Sequence, residues 1–309
     1  MSATTPLLVV VNGAAGSAED EPVEAALSVL RSGADVEVAA TSSSDELDDV
    51  VRSLDGRRPV VVGGDGSLHA VAAALDRAGL LDAQPIGLIA CGTGNDLARA
   101  LGLPLDPEAG ARVVLEGSSR RLDALREDGG LLVVNAVHAG VGASAGRRAE
   151  RLKDLMGAVA YPVGAALAGA AERGWELRVE VDGRPVGSGE WTADGSTPVL
   201  MVGVCNGPTV GGGTALAPDA DPGDGLLDVL VSAATGPAER VAFGAALRSG
   251  RHGDRDDVVL VRGRSVTISG DPVDIDADGE VHEDWARQTW RLDPGAWSVI
   301  APPPPPPRT

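Results

Sequence analysis

Lysine is almost missing. Of 26 basic residues one is a lysine, Lys153, and it stands between Leu152 and Asp154. A P-loop needs a lysine directly after glycine, so that motif is excluded. No His-Arg-Asp or Asp-Phe-Gly run occurs, which removes the protein-kinase pattern. Aromatics are as scarce, with Trp 5, Tyr 1 and Phe 1, too few for a base-stacking surface. Four histidines are scattered, and His282-Glu283 has Ala286 where a zinc helix needs its second histidine. Cys91 and Cys205 form no Cys-x-x-Cys pair and read as buried thiols of a reducing compartment. Positive charge is short overall. The 45 acidic residues bring the net charge to −19, so no nucleic-acid partner is expected. A basic, then apolar, leader is missing, and the longest uncharged run, 155–171, contains Pro162. That run falls short of the ~20 apolar residues of a membrane span. A cytoplasmic chain is expected.

What the 309 residues do contain is apolar periodicity, with 43% hydrophobic residues and 42 glycines. Up to residue 122, continuous apolar runs at 7–11, 36–40, 59–62 and 86–89 alternate with helical patterns at 19–30, 45–54, 67–75 and 95–101. Strands buried on both faces read this way, and repeated βα units predict an open, mostly parallel sheet. Later the pattern changes to short strands at 131–137, 175–181, 198–205, 226–231, 258–261, 265–268 and 273–275. These predict a β-rich, mostly antiparallel, sandwich-like domain. The expected organisation is an α/β nucleotide-binding domain over 1–123, rejoined by 296–301, and a β-rich substrate and metal domain over 124–295. A polyproline tail over 302–309 follows.

Two glycine turns carry the chemistry. Gly63-Gly64-Asp65-Gly66-Ser67 follows a strand and opens a helix. Glycines let main-chain amides approach a phosphate, and a helix N-terminus favours the anion. A tight βα turn satisfies the same pattern, and Asp65 suits either a Mg²⁺-bound water or bracing of the turn. Gly92-Thr93-Gly94-Asn95-Asp96-Leu97-Ala98-Arg99 repeats the arrangement, with Thr93 or Asn95 as candidate helix cap. Two such turns at the C-terminal ends of neighbouring parallel strands would line one crevice. Gly142-Ala143-Ser144-Ala145-Gly146 matches a hydrolase nucleophile elbow, but the antiparallel pattern downstream leaves that reading without its partner strands. Asp274, Asp276 and Asp278 open like a calcium loop whose twelfth position is Trp285, not glutamate. Their alternation places all three on one strand face.

With these segments in view the chain resembles the diacylglycerol-kinase-like lipid kinases, the family of bacterial lipid kinases and of sphingosine and ceramide kinases. The resemblance runs in order along nearly the whole chain: Gly63 to Ser67; Gly92 to Arg99; Asn135 with Gly140, Gly142, Lys153, Gly157 and Tyr161; Asn206 with Gly211 to Gly213, Asp224-Gly225 and Asp228; and Asp278-Gly279-Glu280. One departure is the first loop, Asn12-Gly13-Ala14-Ala15-Gly16, where the family has proline after asparagine and often a basic residue behind the loop.

The resemblance implies an NAD-kinase/diacylglycerol-kinase-like fold and transfer of the ATP γ-phosphoryl group to a lipid hydroxyl, diacylglycerol-like before sphingoid base or ceramide. It implies ATP at Asn12, Gly13, Gly16, Thr41, Gly63, Gly64, Asp65, Gly66, Ser67, Gly92, Thr93, Gly94, Asn95 and Asp96. It implies Mg²⁺ held by Asp224 with the backbone of Asp221 and Leu226, and the acceptor between the two domains. Asp278 is expected as general base, with Asp65, Glu280 and Lys153 as further catalytic residues. The expected partner is a lipid at a membrane surface, met by peripheral contact through Arg147, Arg148, Arg151 and Lys153; a homodimer is a further expectation. A catalytically degenerate relative, an NAD kinase and a hydrolase stay open as alternatives.

Overall fold

The computed structural model describes residues 5–13, 20–141, 143 and 174–302. The chain divides into two compact units, Met1–Asp123 with Pro294–Thr309, and Ala124–Asp293.

The first unit is built on four parallel strands, β1 (Leu7–Asn12), β2 (Val36–Thr41), β3 (Arg58–Gly63) and β4 (Gly87–Ala90), in the order β2-β1-β3-β4. Helices α1 (Asp20–Gly33), α2 (Ser44–Arg52), α3 (Asp65–Arg77), α4 (Asp96–Ala100) and α5 (Pro107–Glu116) connect and cover them. Leu7, Val9, Val60, Val62 and Ile89 pack with Leu27 and Leu30 of α1 and with Val114 of α5. The intervening Leu8, Val10 and Val61 are buried too, and α3 packs on β3 and α2. Burial of both strand faces is why these runs lack polar alternation. The sequence reading contains no α5, although Asp106 accepts from the Ala109 amide and Pro107 stands in the first turn, both local start signals.

The chain's last strand, β16 (Glu280–Ala301), ends in this unit, where Ile86 and Val299 form a parallel bridge. The Ile86 amide donates to Ser298 at 2.8 Å and the Ile300 amide to Ile86 at 2.9 Å. Trp297 is fully buried and its indole N–H donates to the Asp123 carbonyl.

The second unit holds one large sheet ordered β14-β13-β10-β7-β15-β16-β5-β6. Its strands are β5 (Ser118–Glu127), β6 (Leu132–Val133), β7 (Ala136–Gly140), β10 (Met201–Cys205), β13 (Leu227–Ser232), β14 (Val258–Gly263), β15 (Ser265–Ala277) and β16. β8 (Leu177–Val181) pairs with β15 and with β9 (Arg184–Pro185), while β11 (Thr209–Val210) and β12 (Thr214–Ala215) form a hairpin. From β14 through to β16, neighbours pair antiparallel. The sandwich core is aliphatic, with Val137, Val179, Val202, Val229, Val266 and Ile275 around Trp290. Met201, Cys205 and Leu230 pack instead under α6 (Pro237–Arg248) through Phe243 and Leu247.

The expected fold class is what the structure has, with local differences. The expected strand 131–137 breaks at Val134 and Asn135 into β6 and β7, because those main-chain amides turn to a carboxylate described below. The expected strands 265–268 and 273–275 are one strand with a bulge between Ser269 and Val273. Gly270 sits in it at φ 140°, and a β-carbon there would overlap the Glu176 carbonyl. β5, α6 and most of β16 are not in the sequence reading.

Burial gives one pH prediction. His252 is fully buried against Phe243, with Nε2–H donating to the Leu216 carbonyl at 3.0 Å. Burial pushes its pKa below the ordinary imidazole value, which the Leu216 bond opposes. The unfolded chain therefore binds the proton first on acidification. Stability is full above the unfolded pKa of about 6.5 and is lost as pH falls through it toward the folded value. Melting of wild type and His252→Gln at pH 7.5 and 5.5 should show a steeper acid loss in wild type; equal losses would remove the assignment.

Candidate active site

The register brings the ends of the first unit's strands into line. Asn12 lies opposite Thr41, Val11 opposite Val62, and Gly63 opposite Ala90. The chain leaves β1 to one side for β2 and to the other for β3, so the sheet's topological switch lies between Asn12 and Gly63. Ligands of open α/β sheets bind at such a point. The Gly13 amide donates to the Thr41 carbonyl at 3.0 Å, and the Cys91 amide to Gly63 at 3.0 Å. The structure thus gathers Asn12, Gly13, Thr41, Gly63–Ser67 and Gly92–Asp96 along one sheet edge. Gly16 lies outside the described residues.

The two glycine turns are braced against each other. Gly64 and Gly92 touch main chain to main chain, so a β-carbon on Gly92 would overlap the Gly64 Cα. Asp65 spans 31 residues: its Oδ2 accepts from the Asp96 amide at 3.0 Å and its Oδ1 from Leu97 at 3.1 Å. It therefore caps α4, the task expected of Thr93 or Asn95, and braces the neighbouring turn. Asn95, at φ 53°, closes its own loop: its Oδ1 accepts from the Gly92 amide at 3.0 Å and its Nδ2 donates to the Gly92 carbonyl at 2.6 Å. Asp96 is buried, while Gly66 and Thr93 are exposed. The rigid result is a row of glycine main chain at a strand-to-helix edge, the kind of surface that accepts phosphate.

In the second unit, Asp278 and Gly279 form the turn between β15 and β16, at φ 50° and 93°. Asp276 Oδ1 accepts from the Gly279 amide at 2.7 Å. Asp278 therefore leaves the strand face that Asp274 and Asp276 share. Its carboxylate instead accepts from the amides of Val134 at 2.7 Å and of Asn135 and Ala136 at 3.0 Å. These amides hold the carboxylate in place, whereas Glu280, expected as a further catalytic residue, is exposed, opposite Ala277. Asn206 Nδ2 donates to the Val134 carbonyl at 2.8 Å, and Asn135 Nδ2 to Thr209 at 3.0 Å. Gly207 has no room for a β-carbon beside Asn135 Oδ1. Three stretches far apart in sequence, at Asn135, Asn206 and Asp278, thus meet in one network. Lys153, Arg147, Arg148 and Arg151 lie outside the described residues, as do Gly142 and Ser144 of the elbow pattern.

The residues expected to hold Mg²⁺ are engaged otherwise. Asp224 Oδ1 accepts from the Leu226 amide at 3.0 Å, and its Oδ2 is ion-paired with Arg262. Arg262 Nε also bonds Asp228 Oδ2 at 3.2 Å, across the β13–β14 pair where the two residues are opposite. Asp221 Oδ1 accepts from the Gly223 amide at 3.1 Å. Among the described residues no group of three acidic, histidine or cysteine side chains could hold a metal. A guanidinium is ion-paired with the Asp224 carboxylate from which such a cation would draw. Burial pushes the Asp228 carboxyl up, against the opposing pull of Arg262. Arg262 was missed in the sequence because strand register alone places it. Asp224→Ala is expected to lower the melting temperature, whereas chelation of divalent cations leaves wild type unchanged. A melting temperature that falls on chelation and returns with Mg²⁺ would contradict this.

The chain matches the Diacylglycerol kinase catalytic domain over residues 6–126 and the YegS C-terminal NAD kinase beta sandwich-like domain over residues 135–301. A Pseudomonas fluorescens protein described as "Probable lipid kinase YegS-like" is 34% identical over 92% of this chain and 91% of its own length. The chain belongs to the YegS-like lipid kinase family. A Pseudomonas aeruginosa member under the same description is 32% identical over 79% of this chain and 76% of its own. The fold is also similar to a crystal structure of a diacylglycerol kinase from Bacillus anthracis, with TM-score 0.75 and 20% identity over 98% of this chain and 99% of that one. The two matched domains together cover the row of glycine turns and, Val134 apart, the Asp278 network.

Proposed function

We propose that this lipid kinase transfers the γ-phosphoryl group of ATP, taken up as its Mg²⁺ complex, to the hydroxyl of a diacylglycerol-like lipid. The observation that carries the reading is the pair of interlocked glycine turns at the sheet's switch point, with Asp65 fixing one to the other. Phosphoryl transfer asks a protein mainly for positioning and charge neutralisation, and rigid amide donors supply the first. Asn12, Gly13 and Thr41, with the two turns, are assigned to the nucleotide. Asp278 is assigned to the acceptor hydroxyl, whose proton a fixed carboxylate takes as the new P–O bond forms. Glu280 and Lys153 are assigned as further groups of the reaction.

The test is phosphorylation by labelled ATP of diacylglycerol, ceramide and sphingosine in micelles, with NAD alongside. Labelled lipid, diacylglycerol foremost, is expected; phosphorylation of NAD with no lipid labelled would overturn the reading. Contact with the lipid surface is assigned to Arg147, Arg148, Arg151 and Lys153. A net charge of −19 repels an anionic bilayer as a whole, so attraction must be local. Replacing the three arginines with Gln should abolish flotation with anionic vesicles, and unaltered flotation would exclude the patch.

A further inference from the structure

Basic side chains in the first unit are distributed unevenly. Arg31, Arg52 and Arg77 lie in the last turns of α1, α2 and α3, and Arg57 and Arg58 at the start of β3, all at the edge where the parallel strands begin. Arg112 is within α5, and Arg120 and Arg121 are in the first half of β5. Most carry an acidic partner: Glu24 for Arg31, Asp48 for Arg52 and Arg77, Glu37 for Arg57, Glu108 for Arg112 and Asp82 for Arg121. At the opposite edge, where the glycine turns lie, the described residues include one basic side chain, Arg99. Residues 14–18, Ala-Ala-Gly-Ser-Ala, add none to the first loop.

Arg99 is exposed in the last turn of α4 and makes no ion pair among the described residues. Its Nε donates to the Gly94 carbonyl at 3.2 Å, across the second glycine turn. That bond ties the guanidinium to the turn that Asp65 and Asn95 hold rigid. An unpaired cation is conspicuous in a chain of net charge −19. Amides alone supply partial charge, whereas a triphosphate carries several full charges, and a planar guanidinium can bond two phosphate oxygens at once.

We propose that Arg99 binds the polyphosphate of the nucleotide, supplying the countercharge that the first loop lacks. This rests on the assignment of the sheet edge to ATP. Loss of one charge-assisted contact predicts an affinity loss of roughly 10- to 100-fold.

The experiment is calorimetric titration of the full chain with Mg-ATP and with adenosine, for wild type, Arg99→Gln and Arg99→Lys. Expected are a 10- to 100-fold weaker ATP affinity for Arg99→Gln, unchanged adenosine affinity, and a steeper salt dependence of ATP binding in wild type than in Arg99→Gln. Arg99→Lys keeps the charge but loses the planar fork and the Nε bond to Gly94, so its ATP affinity should fall between those of wild type and Arg99→Gln. A purely structural Arg99 would instead weaken adenosine as well and leave Arg99→Lys as impaired as Arg99→Gln; either result overturns the proposal. ATP affinity of Arg99→Gln within two-fold of wild type overturns it alone. Wild type that is folded and binds neither ligand overturns the nucleotide assignment and this inference together. Should Arg99→Gln not fold, Arg99→Lys and the salt dependence of wild type decide.

Discussion

Asp278→Asn should lower turnover by about 10²–10⁴ with ATP affinity nearly unchanged, the range for loss of a general base. It should also lower the melting temperature, which a merely catalytic group would not do. The carboxylate accepts three main-chain amides. An asparagine offers one oxygen, and its NH₂ then faces a donor. A lost charge-assisted bond is worth about 1.5–3 kcal/mol. For a unit of this size roughly 2–4 °C of melting temperature corresponds to each kcal/mol. Turnover and melting are therefore read on the same preparation. Lower melting with turnover within a few-fold of wild type would reduce Asp278 to an anchor for the Val134–Ala136 bend, and its place in the proton transfer would be lost.

Gly92→Ala is the second large effect. The new methyl would overlap the Gly64 Cα and crowd Asn95 Oδ1 at 2.9 Å, and a main-chain neighbour cannot rotate away. The turns must separate, at a cost of about 1–3 kcal/mol for overpacking. ATP affinity should fall at least ~10-fold, because amide donors misplaced by an ångström no longer converge on one phosphate. Gly66→Ala is the stability control, since a β-carbon there meets nothing within 4 Å. It should melt like wild type while Gly92→Ala melts lower. Gly92→Ala with wild-type ATP binding would show that the turns do not act as one surface.

Much of the architecture was legible in the chain because burial leaves a periodic trace. Residues 7–11 and 59–62 are uninterrupted apolar runs, and helices on both faces of β1 and β3 are the reason. The two glycine turns were legible for a similar reason: they need small residues within a few positions of a strand end. β16 was not. Its 22 residues mix charge, tryptophan and Pro294 with no single period, since one strand passes through two environments. The break at Val134–Asn135 left no local sign either, because its cause is a carboxylate more than 140 residues away.

The sequence by itself determined the fold class, the nucleotide-type turns and their order, all properties of neighbours along the chain. The tertiary structure decided what each acidic side chain does. Asp65 became the cap of a helix 31 residues on, Asp224 the partner of Arg262, and Asp278 the acceptor for three amides. A carboxylate takes its role from the donors that folding brings within about 3 Å, and those donors are set by register and loop contact, to which local spacing is blind.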